Sequence, residues 1–251
     1  MRRRIRIDTG LAILAAGTLA LTGCTRTTSS SPGSTPATAT KAPAAELADA
    51  ADHLKAATFT MTMTVKIDNA TARFTGNMDP AHQAGAFTVT TTLDGTQAVQ
   101  QWRVIGDTVY LKSNTPGLPA STNKPWRRID ATDPGGSLAD SLNGATIADS
   151  LRHGTAVQRT GTGHYTGTIT SSALAGFFNA PSASTGPSAP TAASLTFTAD
   201  VDGQRRLTRY HLDVPRSNGG TYPIDIDYSN FGTTVSVQPP PADQVADGSG
   251  R

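Results

Sequence analysis

The sequence predicts an α+β domain built on an antiparallel β-meander. Three observations carry that prediction. Long stretches alternate apolar and polar residues one by one, short polar turns separate them, and a few stretches instead place apolar residues at three- and four-residue steps.

The alternation is clearest in Phe59-Thr-Met-Thr-Met-Thr-Val-Lys-Ile67, where odd positions are apolar and even ones are Thr or Lys. A strand with one buried and one wet face has this period. It returns in Phe87–Leu93, in Val99–Ile105, and in Thr108–Lys112 after the turn at Gly106-Asp107. Further on, Leu195–Val201 turns at Asp202-Gly203 into Arg206–Val214, followed by Tyr222–Tyr228 and Thr233–Val237. Turns rich in Gly, Asp and Asn join neighbours as antiparallel hairpins, so the sheet is a meander and not a set of βαβ units.

The helical period occurs first after Pro43, a residue suited to a first helical turn, in Leu47, Ala50, Ala51, Leu54 and Ala57. A second helix is expected over Ser137–Leu151, with Leu138, Leu142, Ile147 and Leu151 on one face and Gly144 as its weak point. Ser172–Phe178 adds a further turn or two. Pro181–Pro190 is too polar for core and reads as a surface loop.

The N-terminus has a different character. Arg2, Arg3, Arg4 and Arg6 precede an apolar run from Leu11 to Leu21, which ends in Leu21-Thr22-Gly23-Cys24. A spanning helix needs about 20 apolar residues, whereas this run has the layout of a cleaved signal peptide over residues 1–23. Leu-Thr-Gly-Cys resembles the lipobox of bacterial lipoproteins, which implies lipid on the thiol of Cys24. Apart from Cys24, Arg26 and Lys41, residues 24–42 are Thr, Ser, Pro, Gly and Ala with nothing to pack, a disordered tether whose mean reach is on the order of 25 Å. One folded domain is expected over residues 43–245, with a disordered tail at 246–251.

Of 21 basic and 19 acidic residues the signal takes four arginines and Asp8, leaving 17 and 18. No basic stripe remains to attract phosphates, so nucleic acid is not an expected partner. Cys24 is the only cysteine, so no internal disulfide staples the domain, and its core must suffice.

Catalytic patterns are missing. His53, His82, His153, His164 and His211 share no metal-ligand spacing with Cys, Asp or Glu, and none lies in HExxH. Gly161-Thr-Gly163-His-Tyr-Thr-Gly167 has the wrong spacing for a phosphate loop and reads as a Gly-broken strand. Gly135-Gly136-Ser137 is not a nucleophile elbow. Asn69-Ala70-Thr71 matches a glycosylation sequon, which a bacterial lipobox argues against. Asp225 and Asp227 stand two apart on one strand face, which suits a paired acid/base or cation site and, more simply, the wet face of an antiparallel strand. No enzyme, metal or cofactor is expected.

What remains is the apolar face. Phe59, Met61, Met63, Val65 and Ile67, with Phe87, Val89 and Leu93, would line one side of the sheet. They pack against the helices as core or, since methionine fills irregular space, line a pocket for an acyl chain.

Two segments carry a likeness to a known group: Val104-Ile-Gly-Asp-Thr-Val-Tyr-Leu-Lys112 with Pro125-Trp126 after it, and Asp225-Ile-Asp-Tyr-Ser-Asn-Phe-Gly232 running into Val235-Ser-Val-Gln-Pro-Pro240. With the lipobox, tether and element order they make the chain resemble the LppX and LprG type of actinobacterial lipoproteins. That resemblance implies a LolA-like fold: a curved, half-open, U-shaped antiparallel half-barrel with helices packed on its concave face, over a cavity that holds acylated lipids. The loop at Pro181–Pro190 and the abundance of Thr and Ala depart from it and bear on ligand size.

The expectation is therefore a monomeric, non-enzymatic lipoprotein on the outer face of the cytoplasmic membrane, anchored through Cys24. It would bind a lipid or other lipophile for transport or presentation. The alternative is a surface sensor or scaffold touching another envelope protein. Exposed apolar area on the outer strand face or around Trp102 and Trp126 would mark the scaffold.

Overall fold

The computed structural model describes residues 41–114, 124–130, 144–171, 194–216 and 219–247. Ser172–Phe178, Pro181–Pro190, Ser137–Asn143 and Cys24 with its signal and tether lie outside the described residues.

Among the described residues, twelve strands form one open sheet. The first six are β1 (Phe59–Ile67), β2 (Ala70–Asp79), β3 (Ala84–Leu93), β4 (Thr96–Ile105), β5 (Thr108–Ser113) and β6 (Trp126–Asp130). The rest are β7 (Thr155–Gly161), β8 (His164–Thr170), β9 (Ser194–Val201), β10 (Leu207–Pro215), β11 (Thr221–Ser229) and β12 (Val245–Asp247). Their spatial order is β12-β6-β5-β4-β3-β2-β1-β11-β10-β9-β8-β7. Two antiparallel meanders thus meet at a seam where β1 pairs with β11, Met61 opposite Tyr228 and Met63 opposite Ile226. The one parallel pair is β12 on β6. The turns are those the composition requires: at Asp94-Gly95 both residues have positive φ, the geometry that joins a two-residue hairpin.

β2, β6 and β7 do not stand out in the sequence. In β2 the inward positions are Ala72, Phe74, Gly76 and Met78, and the small residues dilute the alternation. Gly161–Gly167 is not one broken strand but the end of β7, a turn at Gly163 with φ 75°, and the start of β8. Thr233–Val237, expected as a strand, is not one. Both edges of β11 are already paired, with β1 and β10, so the chain beyond it has no free edge beside it and leaves the sheet. It runs on to lay β12 along β6.

Two α-helices are described, α1 (Pro43–Asp52) and α2 (Gly144–Arg152). Pro43 opens α1, and Glu46 in the first turn suits the helix dipole. A 3-10 turn over His53–Lys55 extends the apolar stripe to buried Leu54 but stops short of Ala57. Gly144, expected as a weak point inside a helix, is the first described residue of α2. The helices touch one another, and α1 also approaches β7, β9 and β10.

Register puts the core on one side of the sheet. Phe59, Met61 and Met63 of β1 lie beside Met78, Gly76 and Phe74 of β2, and on the other side beside Tyr228 and Ile226 of β11. Phe87 and Val89 of β3 continue the row to Trp102 and Gln100 of β4. Phe197, Tyr210, Leu212 and Ile224 extend it across the second meander. Apart from Gly76 and Gln100, these residues form one continuous buried cluster that also takes in Leu47, Ala51, Leu54, Ile147 and Leu151 of the helical segments.

Candidate functional site

Two places deserve comparison: the apolar inner face and the polar outer face behind it. Of the eight residues expected to line the inner face, Phe59, Met61, Met63, Phe87 and Val89 are buried, and Val65 and Ile67 are partly buried against them. Leu93, at the far end of β3, is 51% exposed and outside the cluster. Phe59 meets Tyr228 edge to face at 5.4 Å, and Phe87 stacks on Trp102 at 5.9 Å and 11°. Such pairs hold rings in fixed places, whereas Met61, Met63 and Met78 between them are unbranched and adaptable.

Sequence reasoning did not single out Phe74, Met78, Gln100, Tyr210 or Tyr228, which share this face. Their signal is register: each stands opposite a residue already on the face, Tyr228 opposite Met61 and Gln100 opposite Val89. Burial pushes the phenols of Tyr210 and Tyr228 well above their ordinary acidity range, so both stay protonated.

At one end of this face Glu46 of α1 accepts a hydrogen bond from Tyr165 of β8 at 3.0 Å and an ion pair from Arg159 of β7. The Arg159 hydrogen bond, with that of Tyr165, holds the Glu46 carboxyl below its ordinary range.

On the outer face, Asp225 and Asp227 of β11 do point the same way. His211 Nδ1 lies 2.7 Å from Asp225, and Arg209 Nε donates to Asp227 at 2.9 Å, each across the β10–β11 ladder. With Thr64, Lys66, Thr71, Arg73 and Thr198 they border an open groove of about 620 Å³. The two carboxylates are 47% and 50% exposed. Each is thus tied to its own cross-strand partner on a wet surface, the arrangement of surface ion pairs.

Three of the remaining histidines are locally occupied, His82 on Asp79, His164 on Asp200 and His153 on the Asp149 carbonyl, and His53 opens the 3-10 turn after α1. Among the described residues no group of three or more His, Cys, Asp or Glu is placed to hold a metal, and no helix is long and apolar enough to cross a membrane.

Trp102 and Trp126 are 3% and 4% exposed. Trp102 faces inward. Trp126 is on the outer face, opposite Lys112, yet it is covered, with the Arg103 guanidinium 4.7 Å over its ring. No protein-family model matches the chain, and no curated protein matches it either.

Proposed function

We propose that the chain is a non-enzymatic lipoprotein of the cell envelope, anchored through Cys24, whose sheet and helices enclose a lipid or other lipophile for transport or presentation. The observation that carries this reading is the one-sidedness of the sheet. From β5 across the seam to β8, the buried apolar side chains fall on a single face, and Met61, Met63 and Met78 lie among its rings. A sheet that stays open rather than closing on itself leaves that face to be covered by something else. In the LolA-like arrangement of the LppX and LprG type, helices pack on the concave side and the ligand lies between the layers. Phe59, Met61, Met63, Val65, Ile67, Phe87 and Val89 would then line the cavity, with Leu93 at its rim. The scaffold alternative needs exposed apolar area on the outer strand face or around Trp102 and Trp126, and both tryptophans are buried.

The test is native mass spectrometry of the chain carrying Cys24→Ser, which blocks lipidation, recovered from several bacterial hosts. Co-purifying lipid masses, and a rise in melting temperature on adding phospholipid or glycolipid, are expected. Clean apo protein from every host with no thermal response would overturn the proposal.

A further inference from the structure

Buried polar atoms in folded proteins nearly always find partners, because an unmet donor or acceptor has given up its water for nothing. Among the described residues five side chains hold a buried nitrogen or oxygen with no partner: Gln100, Trp102, Tyr210, Arg216 and Tyr228. Four of the five share the inner face. Gln100 and Trp102 sit opposite Val89 and Phe87, Tyr210 opposite Ile226, and Tyr228 opposite Met61. Trp102, Tyr210 and Tyr228 are at most 4% exposed.

The chemistry of these atoms is lopsided. An indole N–H can only donate, and phenols that burial keeps protonated have a proton to give. Tyr210 stands apart, because the Ser150 hydroxyl, which donates to the Ile147 carbonyl at 2.8 Å, keeps lone pairs that can accept from its phenol. Rings and thioethers surround the rest: Phe87 against Trp102, Phe59 and Met61 against Tyr228. A water there would need two to four polar partners, and these neighbours supply few.

On the lipid-binding reading, we infer that Tyr228 and Trp102 are specificity-determining donors that hold acceptor oxygens of the bound molecule. Among lipophiles, these donors then select molecules with ester, ether or hydroxyl oxygens along the apolar body over a plain hydrocarbon. Gln100 Oε1 is a carbonyl acceptor on the same face and suits a ligand hydroxyl.

Tyr228→Phe and Trp102→Phe, made separately in the full chain carrying Cys24→Ser, test this by titration with dipalmitoylglycerol and with squalane. The tyrosine substitution removes one oxygen and no ring. The expected result is about tenfold weaker binding of the diester per lost hydrogen bond, with squalane binding unchanged. The unliganded melting temperature of Tyr228→Phe should stay level or rise, because an orphaned hydroxyl is removed, and Trp102→Phe gives an independent second reading. Diester affinity unchanged in both variants would mean that water meets these atoms, and would overturn this inference while leaving the lipid-binding proposal standing. A parent chain that takes up neither probe would overturn that proposal itself.

Discussion

Gly76 of β2 stands directly opposite Phe87 of β3, so close that a Cβ on the glycine would lie 2.3 Å from the phenylalanine Cβ. The Cβ and Cα of Phe87 and the Ala86 carbonyl occupy the place a side chain at position 76 would take, and the Phe87 ring stacks on Trp102. The same device recurs in the second meander, where Gly167 of β8 opposes Phe197 of β9 and a Cβ would meet the ring at 2.7 Å. Glycine beside an aromatic ring is a recurrent way to fill and pin a sheet. Gly76→Ala should therefore destabilise the fold by roughly 1–3 kcal/mol, the range for overpacking, because backbone and Cβ atoms cannot swing aside. Gly203→Ala, with nothing within 4 Å, serves as the control and should lie within about 0.5 kcal/mol of the parent. Urea denaturation of both variants checks the contrast.

Glu46 makes stability pH-dependent with a definite sign. Its carboxyl is held below its ordinary value of 4.5, first by the Arg159 hydrogen bond and then by that of Tyr165. A group depressed in the folded state contributes stability that is complete above the unfolded value and lost as pH falls through the folded one. Asp52 and Asp202 act in the same direction. Partial burial opposes their charge, but hydrogen bonds from Arg152 and Lys55 to Asp52, and from the Arg206 and Gln204 backbone and the Arg206 side chain to Asp202, outweigh it. The melting temperature should accordingly fall below about pH 4.5. Glu46→Gln should melt lower than the parent at pH 7, with the gap narrowing as pH falls below about 4.5. A gap that persists unchanged into acid would show that Glu46 acts through packing and not through charge.

Much of this fold is legible wherever a strand carries large residues on one face and Thr on the other. β1, β3, β5, β9, β10 and β11 all read in that way. β2 is obscured because its inward row is Ala72, Phe74, Gly76 and Met78, and the glycine makes sense only once Phe87 is known to lie across from it. β6 and β12 depend on a pairing across more than a hundred residues, Val245 beside Trp126, which no local period records. Candidate lining residues were legible on β1 and β3 for the same reason that the strands were. Tyr210 and Tyr228 were not, since an inward tyrosine looks like any other core aromatic until its hydroxyl is seen to lack a partner.

On the proposed function, Cys24 decides where the protein stays. On the lipoprotein reading, Cys24→Ser removes the only sulfur that can carry a diacylglyceryl group. Two acyl chains hold a protein at a membrane where one binds marginally. The parent should fractionate with membranes and resist extraction by high salt. The variant should lose its diacylglyceryl mass and no longer be held by acyl chains, read by mass spectrometry and by partition into detergent. A variant as firmly membrane-bound through its folded domain as the parent would show that the anchor is not what retains it.

The segment after β11 is a strap, and Arg103 fastens it. Gly232 N–H donates to the Thr58 carbonyl at 3.0 Å, and Phe231 packs near Phe59 under the Arg206 guanidinium. From there the chain reaches the far side of the first meander. Arg103 on the outer face of β4 donates to the Gln238 carbonyl at 2.9 Å and lies over Trp126. Pro240 is buried, and β12 then covers the edge of β6 that would otherwise offer unpaired N–H and C=O groups to another chain. Arg103→Ala removes a charge-assisted hydrogen bond and a cation–π contact together, at a cost of about 1–2 kcal/mol. Because the strap is held at both ends, the substitution should loosen its middle before the sheet unfolds. Hydrogen exchange should quicken first at Val245–Asp247 and along β6, and Trp126 fluorescence should shift to the red, while β1 and β11 keep their protection. Exchange that quickens uniformly across all strands would instead mean that Arg103 supports the whole fold and not the strap alone.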